Sequence, residues 1–382
     1  MKAKKILTLS LAAVMAAGVF AGCSNANADT IKIGGLAPLT GNVSVYGITS
    51  SNGTKLAFDE INKNGGILGK TVDFDLQDEK GEPNEAINAY NKLASSGIVA
   101  LIGDVTSKPS LAVGDIIAAE SDPTPMLTPT GTADAITKAG DSIFRVCFTD
   151  PTQGQIIAKF AVDNLKIKTV AILSNVSDEY SNGLAEAFTS VVKEAGVEII
   201  ANEGYGADDK DFKTQLTKIQ GLNPDALFIP DYYNVVALVA QQAREVGYEG
   251  TLLGGDGWDG ILGTLPEDKK TVVDNCYYAS HFSTSDTTPV VANFVKSYQE
   301  KYNELPTSFS ALGYDAAYIM KAAIEKAGST DKAKIVEALK GVSVECVTGN
   351  ITFDENGDPI KDVAIIKLSN GEASLETKIT ME

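Results

Sequence analysis

Histidine is nearly absent from this 382-residue chain, with His281 the single one. A metal site built from several imidazoles is excluded, and a Ser-His-Asp hydrolase would have to use His281. Basic residues are scarce as well. Lys and Arg number 32 against 50 Asp and Glu, for a net charge of -18, so the clustered cations that bind phosphate backbones are missing and no nucleic-acid partner is expected. Cysteine occurs only at positions 23, 147, 276 and 346. That excludes a disulfide scaffold, because a chain of this length buries its own core. At most one bridge can form among Cys147, Cys276 and Cys346, and the sequence does not choose the pair. Past Phe20 no apolar run approaches the ~18–20 residues that span a bilayer. Hydrophobic residues at 44% and charged residues at 21% exclude wholesale disorder. At roughly 100–200 residues per domain, two or three domains are expected.

What is present begins with an export leader. Lys2, Lys4 and Lys5 precede an apolar stretch from Ile6 to Phe20, long enough for a signal peptide and short for a membrane span. Phe20-Ala21-Gly22-Cys23 resembles a lipobox, in which the cysteine is lipidated and becomes the mature N-terminus. Residues 1–22 therefore read as a lipoprotein signal peptide and 23–29 as a tether. Loss of the three lysines takes the net charge from -18 to about -21.

From Thr30 onward, strand and helix patterns alternate. Period-two runs such as Val72-Asp-Phe-Asp-Leu76 and short apolar runs such as Ile98–Ile102 are separated by helical stretches, among them 48–64, 84–96 and 111–119. The rhythm restarts after Asp150 and continues to about Leu253. Two successive βαβα blocks predict an α/β fold with two doubly wound parallel sheets. Tyr277–Phe282 reads as a crossover, and the last hundred or so residues must complete one or both lobes. Ligands of such sheets sit beyond the carboxyl ends of the strands, which directs attention to the loops after Ile33, Ile102, Leu127, Leu173, Ile229 and Leu253. These loops hold hydroxyls at helix starts (Thr106, Ser107, Thr128–Thr132), tyrosines (Tyr180, Tyr232, Tyr233) and an acid in Gly254-Gly-Asp-Gly-Trp258. Hydroxyls and N–H groups at a helix start suit an anion. With the acid opposite, the set describes a site for something small that carries both a minus and a plus.

Two motifs are decoys. Gly255-x-Gly257-x-x-Gly260 matches a dinucleotide fingerprint, but Trp258 and Asp259 crowd it and Pro266 stops the helix that should follow. Ser190-Val-Val-Lys193 matches a β-lactamase-like pattern inside an amphipathic helix, with no partner motifs.

The stretches IKIGGLAPLTGNVSVYG, AFDEINKNGGILGK, ALIGDVTSKPSLAV, MLTPTGTADAIT, SNVSDEYSNGLA, DFKTQLTKIQ, LLGGDGW and ITFDENGDP, in that order, resemble the substrate-binding proteins of branched-chain amino acid ABC transporters, the leucine/isoleucine/valine-binding group. The resemblance implies a type I periplasmic-binding-protein clamp, two lobes joined by three crossover strands, with 30–147 plus 282–355 in one lobe and 148–281 plus 356–382 in the other. It also implies a function: capture of an aliphatic amino acid outside the cytoplasm and delivery to permease subunits, by a monomer held to the membrane through lipidated Cys23 alone, with no catalysis, cofactor or metal.

Motif by motif, the resemblance carries the ligand carboxylate to Ser107 and Thr132. The ammonium falls to the Thr130 carbonyl and to Asp256, where the family often has the longer Glu. Tyr46, Tyr180, Tyr232, Phe309 and Trp258 are the expected cleft aromatics, with Tyr233 beside them, and Trp258 is expected to sense closure. Thr106 stands where one cysteine of a family disulfide would be. Three alternatives stay open at this point: a clamp for another carboxylate, an amide or an aromatic acid; an exported hydrolase using His281; and a sensory ligand-binding module.

Overall fold

The computed structural model describes residues 30–380. The leader, the tether and Cys23 lie outside them. Several strands are only three residues long because they are buried on both faces, where short apolar runs suffice. The first sheet has the order β2 (Thr71–Asp78), β1 (Thr30–Ala37), β3 (Ala100–Ile102), β4 (Met126–Thr128), β5 (Ile143–Arg145), every pair parallel. Helices Ser44–Lys63 and Ser308–Ala327 bury Phe58, Leu312 and Met320 against one face, and Pro83–Ser95 and Ser107–Ala118 bury Tyr90, Leu93 and Ile117 against the other.

The second sheet carries β6 (Thr169–Asn175), β7 (Glu198–Tyr205), β8 (Ala226–Phe228), β9 (Thr251–Gly254) and β10 (Cys276–Ser280) as parallel strands. A hairpin, β11 (Val344–Cys346) and β12 (Gly349–Ile351), stands apart. Two late strands, β13 (Val363–Ser369) and β14 (Glu372–Ile379), join the second sheet antiparallel, giving the order β14-β13-β10-β9-β8-β6-β7. The chain passes between the sheets three times: after β5, after β10 and after β12.

The α/β expectation with two wound sheets agrees with this architecture, with two differences. The second sheet is mixed, and most of the stretch expected as a crossover at Tyr277–Phe282 is β10, so the passage itself starts at His281. The edge strand β14 escaped pattern reading because its side chains are mostly exposed and its apolar residues are sparse. Cys147, Cys276 and Cys346 are buried and free, so no bridge exists among the described residues. The helix Ile261–Thr264 after the dinucleotide-like glycines has four residues, too short to cradle a phosphate, and Ser190 and Lys193 both lie on the exposed face of their helix.

Two glycines determine how closely the main helices of the first lobe approach. A Cβ on Gly53 would lie 1.9 Å from the Ser310 carbonyl oxygen, and one on Gly313 would lie 2.1 Å from that of Ser50. The contact is reciprocal, and Thr54 Oγ1 donates across it to the Gly313 carbonyl at 2.9 Å. Gly313→Ala must push the helices apart and is expected to destabilise the protein by about 1–3 kcal/mol despite alanine's better helix propensity. Urea unfolding checks it; an unchanged midpoint would show that the helices separate freely.

Candidate functional site

The carboxyl ends of both sheets converge on one narrow pocket between the lobes, lined by Tyr46, Val105, Thr106, Ser107, Thr130, Thr132, Tyr180, Tyr232, Asp256, Gly257 and Phe309. On the first-lobe side, Ser107 opens the helix Ser107–Ala118, whose first N–H groups have no partner within the helix. The Ser107 hydroxyl also accepts from the Ala133 amide at 3.3 Å, which ties the two donor loops together. Thr130 Oγ1 donates to the Val105 carbonyl at 2.6 Å. Arg145 braces the second loop from behind: its guanidinium donates to the Gly131 and Ala133 carbonyls, both at 3.0 Å, and pairs with Asp358 at 2.5 Å.

On the second-lobe side, Asp256 starts a short turn of three residues at the end of β9 and is 2% exposed. Its Oδ1 accepts from the Tyr180 hydroxyl at 2.9 Å and its Oδ2 lies 3.1 Å from His281 Nε2. The Tyr180 oxygen itself accepts from the Gly257 amide at 2.8 Å. Tyr180 and Tyr232 stack with centroids 4.9 Å apart, and Tyr46 stacks on Phe309 at 4.3 Å. Eight of the nine expected ligand-facing residues thus share one cavity.

The lobes are closed on each other. Tyr46 donates its hydroxyl to the Gly257 carbonyl and receives the Tyr233 amide at 3.0 Å. Tyr233 donates to the Asn42 carbonyl at 3.0 Å, and the Ser308 amide donates to Asp259 at 2.6 Å. Lys108 reaches the Ser177 carbonyl across the rim.

A family model described as "Periplasmic binding protein" matches residues 30–373. The chain belongs to that family. It is 35% identical to the Leu/Ile/Val-binding protein BraC3 of Rhizobium johnstonii, over 93% of this chain and 94% of that protein. Among solved structures, the leucine-binding protein LivK of Thermotoga maritima superposes with a TM-score of 0.83 at 35% identity, covering 92% of this chain and 99% of that one. The branched-chain amino acid transporter substrate-binding protein LivJ of Streptococcus pneumoniae, solved in complex with isoleucine, also scores 0.83, at 32% identity with the same coverages.

The exception among the expected residues of this periplasmic binding protein is Trp258. In the Asp256–Trp258 turn, with about three residues per turn, side chains two positions apart point to different sides. Asp256 faces the cavity, and Trp258 folds back into the second-lobe core. It is fully buried, and its indole N–H donates to the Ile229 carbonyl at 2.9 Å. Sequence reading missed Asp150, and weighed His281 only as a hydrolase residue and not as a neighbour of Asp256. Both follow strands, β5 and β10, whose carboxyl ends had not been singled out, and the strand-end rule extended to them would have found both.

Asp150 lies close behind Asp256. Gln153 joins the two, giving Nε2–H to Asp150 Oδ1 at 3.1 Å and accepting the Asp256 amide on Oε1 at 3.0 Å. Burial pushes the Asp150 carboxyl well above the usual carboxylate range, and the nearby Asp256 pushes it the same way. Burial also pulls the His281 imidazole down to about 4, so that ring is neutral at pH 7. Beneath the first donor loop, Glu79 and Asp104 are both wholly buried; desolvation raises both carboxyls, and the neighbouring Asp104 raises Glu79 further, to about 9, while the hydrogen bond with Glu79 only partly offsets the rise of Asp104.

Two outcomes follow from these placements. Trp258 emission is expected to keep its wavelength when ligand saturates the cleft, because the indole is already dry and hydrogen-bonded within one lobe; a fluorescence titration with a clear shift would put the ring back at the cleft. The Glu79–Asp104 pair holds protons in the folded state that the unfolded chain releases, so stability falls as pH rises above the ordinary carboxylate range. Glu79→Gln is expected to flatten that decline in denaturation midpoints measured from pH 5 to 9, and an unaltered slope would mean the pair is ionised.

Proposed function

We propose that this chain captures a small aliphatic α-amino acid, of the branched-chain kind, between its lobes and hands it to the permease of an ABC importer. The observation that carries this reading is the division of chemistry across the cavity: neutral hydroxyl and amide donors on the first-lobe wall, one carboxylate on the second-lobe wall. Ser107 and Thr132, with the free amides at the start of their helix and loop, receive the ligand carboxylate; Asp256 and the Thr130 carbonyl receive the ammonium. Tyr46, Tyr180, Tyr232, Phe309 and Val105 enclose the side chain. Charge-assisted hydrogen bonds are worth roughly 1.5–3 kcal/mol each, so a handful offsets the cost of immobilising a small ligand. Because the donors and the acid belong to different lobes, which we divide at 147/148, 281/282 and 355/356, occupancy favours the closed form, which is the shape a permease reads.

The names of the relatives, Leu/Ile/Val-binding and leucine-binding proteins, support the same ligand class. On this reading the chain works outside the cytoplasm as a monomer anchored through lipidated Cys23, as a binder rather than a catalyst, and His281 serves Asp256, 3.1 Å from its Nε2.

Asp256→Ala is expected to weaken leucine binding by about 2–5 kcal/mol while leaving the fold intact, as when a buried charge loses its partner. Calorimetry on a panel of leucine, isoleucine, valine, alanine, leucine amide and 4-methylpentanoate checks it. Tight binding of 4-methylpentanoate, or of an aromatic acid, would replace the amino acid by a simple carboxylate as the cargo.

A further inference from the structure

All three crossovers meet directly behind Asp256. Phe148, in the first, stacks on the His281 imidazole, in the second, with centroids 3.6 Å apart and planes 22° from parallel. Lys361, in the third, is buried and donates to Thr348 Oγ1 at 2.7 Å and to the first crossover's Val146 carbonyl at 3.4 Å. His281 Nε2 lies 3.1 Å from Asp256 Oδ2. A carboxylate oxygen only accepts, so Nε2 carries the hydrogen and Nδ1 is a bare acceptor, buried without a partner. The other tautomer would set two acceptors against each other and bury an unpaired N–H, which is the costlier arrangement. With Tyr180 on Oδ1, both oxygens of Asp256 are held, and the plane of the carboxylate is determined.

We propose that His281 is the positioning residue for amino-group recognition: its Nε2–H pins Asp256 Oδ2 and, through the stack on Phe148, ties that carboxylate to the strands about which the lobes turn. The proposal rests on the reading of Asp256 as the ammonium partner. It gives the chain's single histidine a role apart from chemistry. Opening the cleft turns the crossovers, so the orientation of the acid and the state of the clamp are one variable. Asp is a short side chain with little reach of its own, and its aim depends on what holds it.

Tag-free protein labelled with 15N-histidine reports this one ring. The expected spectrum at pH 7 is the Nε2–H tautomer, with ring signals that shift when leucine is added; an Nδ1–H tautomer, an imidazolium, or signals unmoved by leucine would overturn the proposal, whatever the variants do. Calorimetry gives the second test. His281→Phe keeps the stack and removes the N–H, and is expected to weaken leucine at least about tenfold while changing 4-methylpentanoate, which lacks the amino group, by no more than about twofold. His281→Gln, which returns an N–H near Nε2, is expected to restore most of the loss. Equal losses for both ligands, or wild-type affinity for leucine in His281→Phe, would overturn the proposal. Asp256→Asn runs beside them: if it keeps leucine affinity, the ammonium reading itself fails, whereas its loss with His281→Phe unaffected removes only the role of His281.

Discussion

A buried carboxylate is stable only when neighbouring groups satisfy it, and Asp256 is where this chain meets that constraint. Tyr180 and His281 supply one donor to each oxygen, and both donors are uncharged. Had an arginine or lysine been placed there, the acid would be neutralised and useless toward a cation. Neutral donors leave the negative charge in place while reducing its desolvation cost. Asp150, so near, is held less completely: Gln153 donates to its Oδ1, its Oδ2 has no partner, and burial raises its carboxyl well above the usual range.

The fold delivers these groups by putting strand ends opposite strand ends. Each lobe packs apolar side chains on both faces of its sheet, and among the described residues three crossovers link the lobes. Cross-cleft bonds then hold the closed form: Tyr46 to Gly257, Tyr233 to Asn42, and Ser308 to Asp259. Each pairs a side chain of one lobe with a backbone atom of the other.

Much of the architecture was legible in the chain. Alternating apolar runs and helical faces are local properties, and parallel sheets buried on both faces write them strongly, as at Ile98–Ile102. The strand-end rule then pointed to the loops that hold Ser107, Thr130, Thr132, Tyr180, Tyr232 and Asp256, because in wound sheets the ends of strands are where loops must meet a ligand, and the family resemblance singled these residues out within them. The local signal was weakest where burial is one-sided, so β14 was missed, and where an apolar run ends in a functional residue, so β10 was taken for a crossover.

By itself the sequence determined the fold class, the order of the elements and the acidic, histidine-poor chemistry available to the site. Only the tertiary structure decided which way Trp258 faces, which two groups hold Asp256, and that Asp150 and His281 stand beside it. Those are relations between residues 25 to more than 100 positions apart, such as Asp256 with His281 and with Gln153. The reason is geometric: backbone pattern encodes which face of a strand or helix is apolar, whereas the aim of a side chain in a turn, and the partner it meets, depend on how two separately folded lobes come to rest against each other.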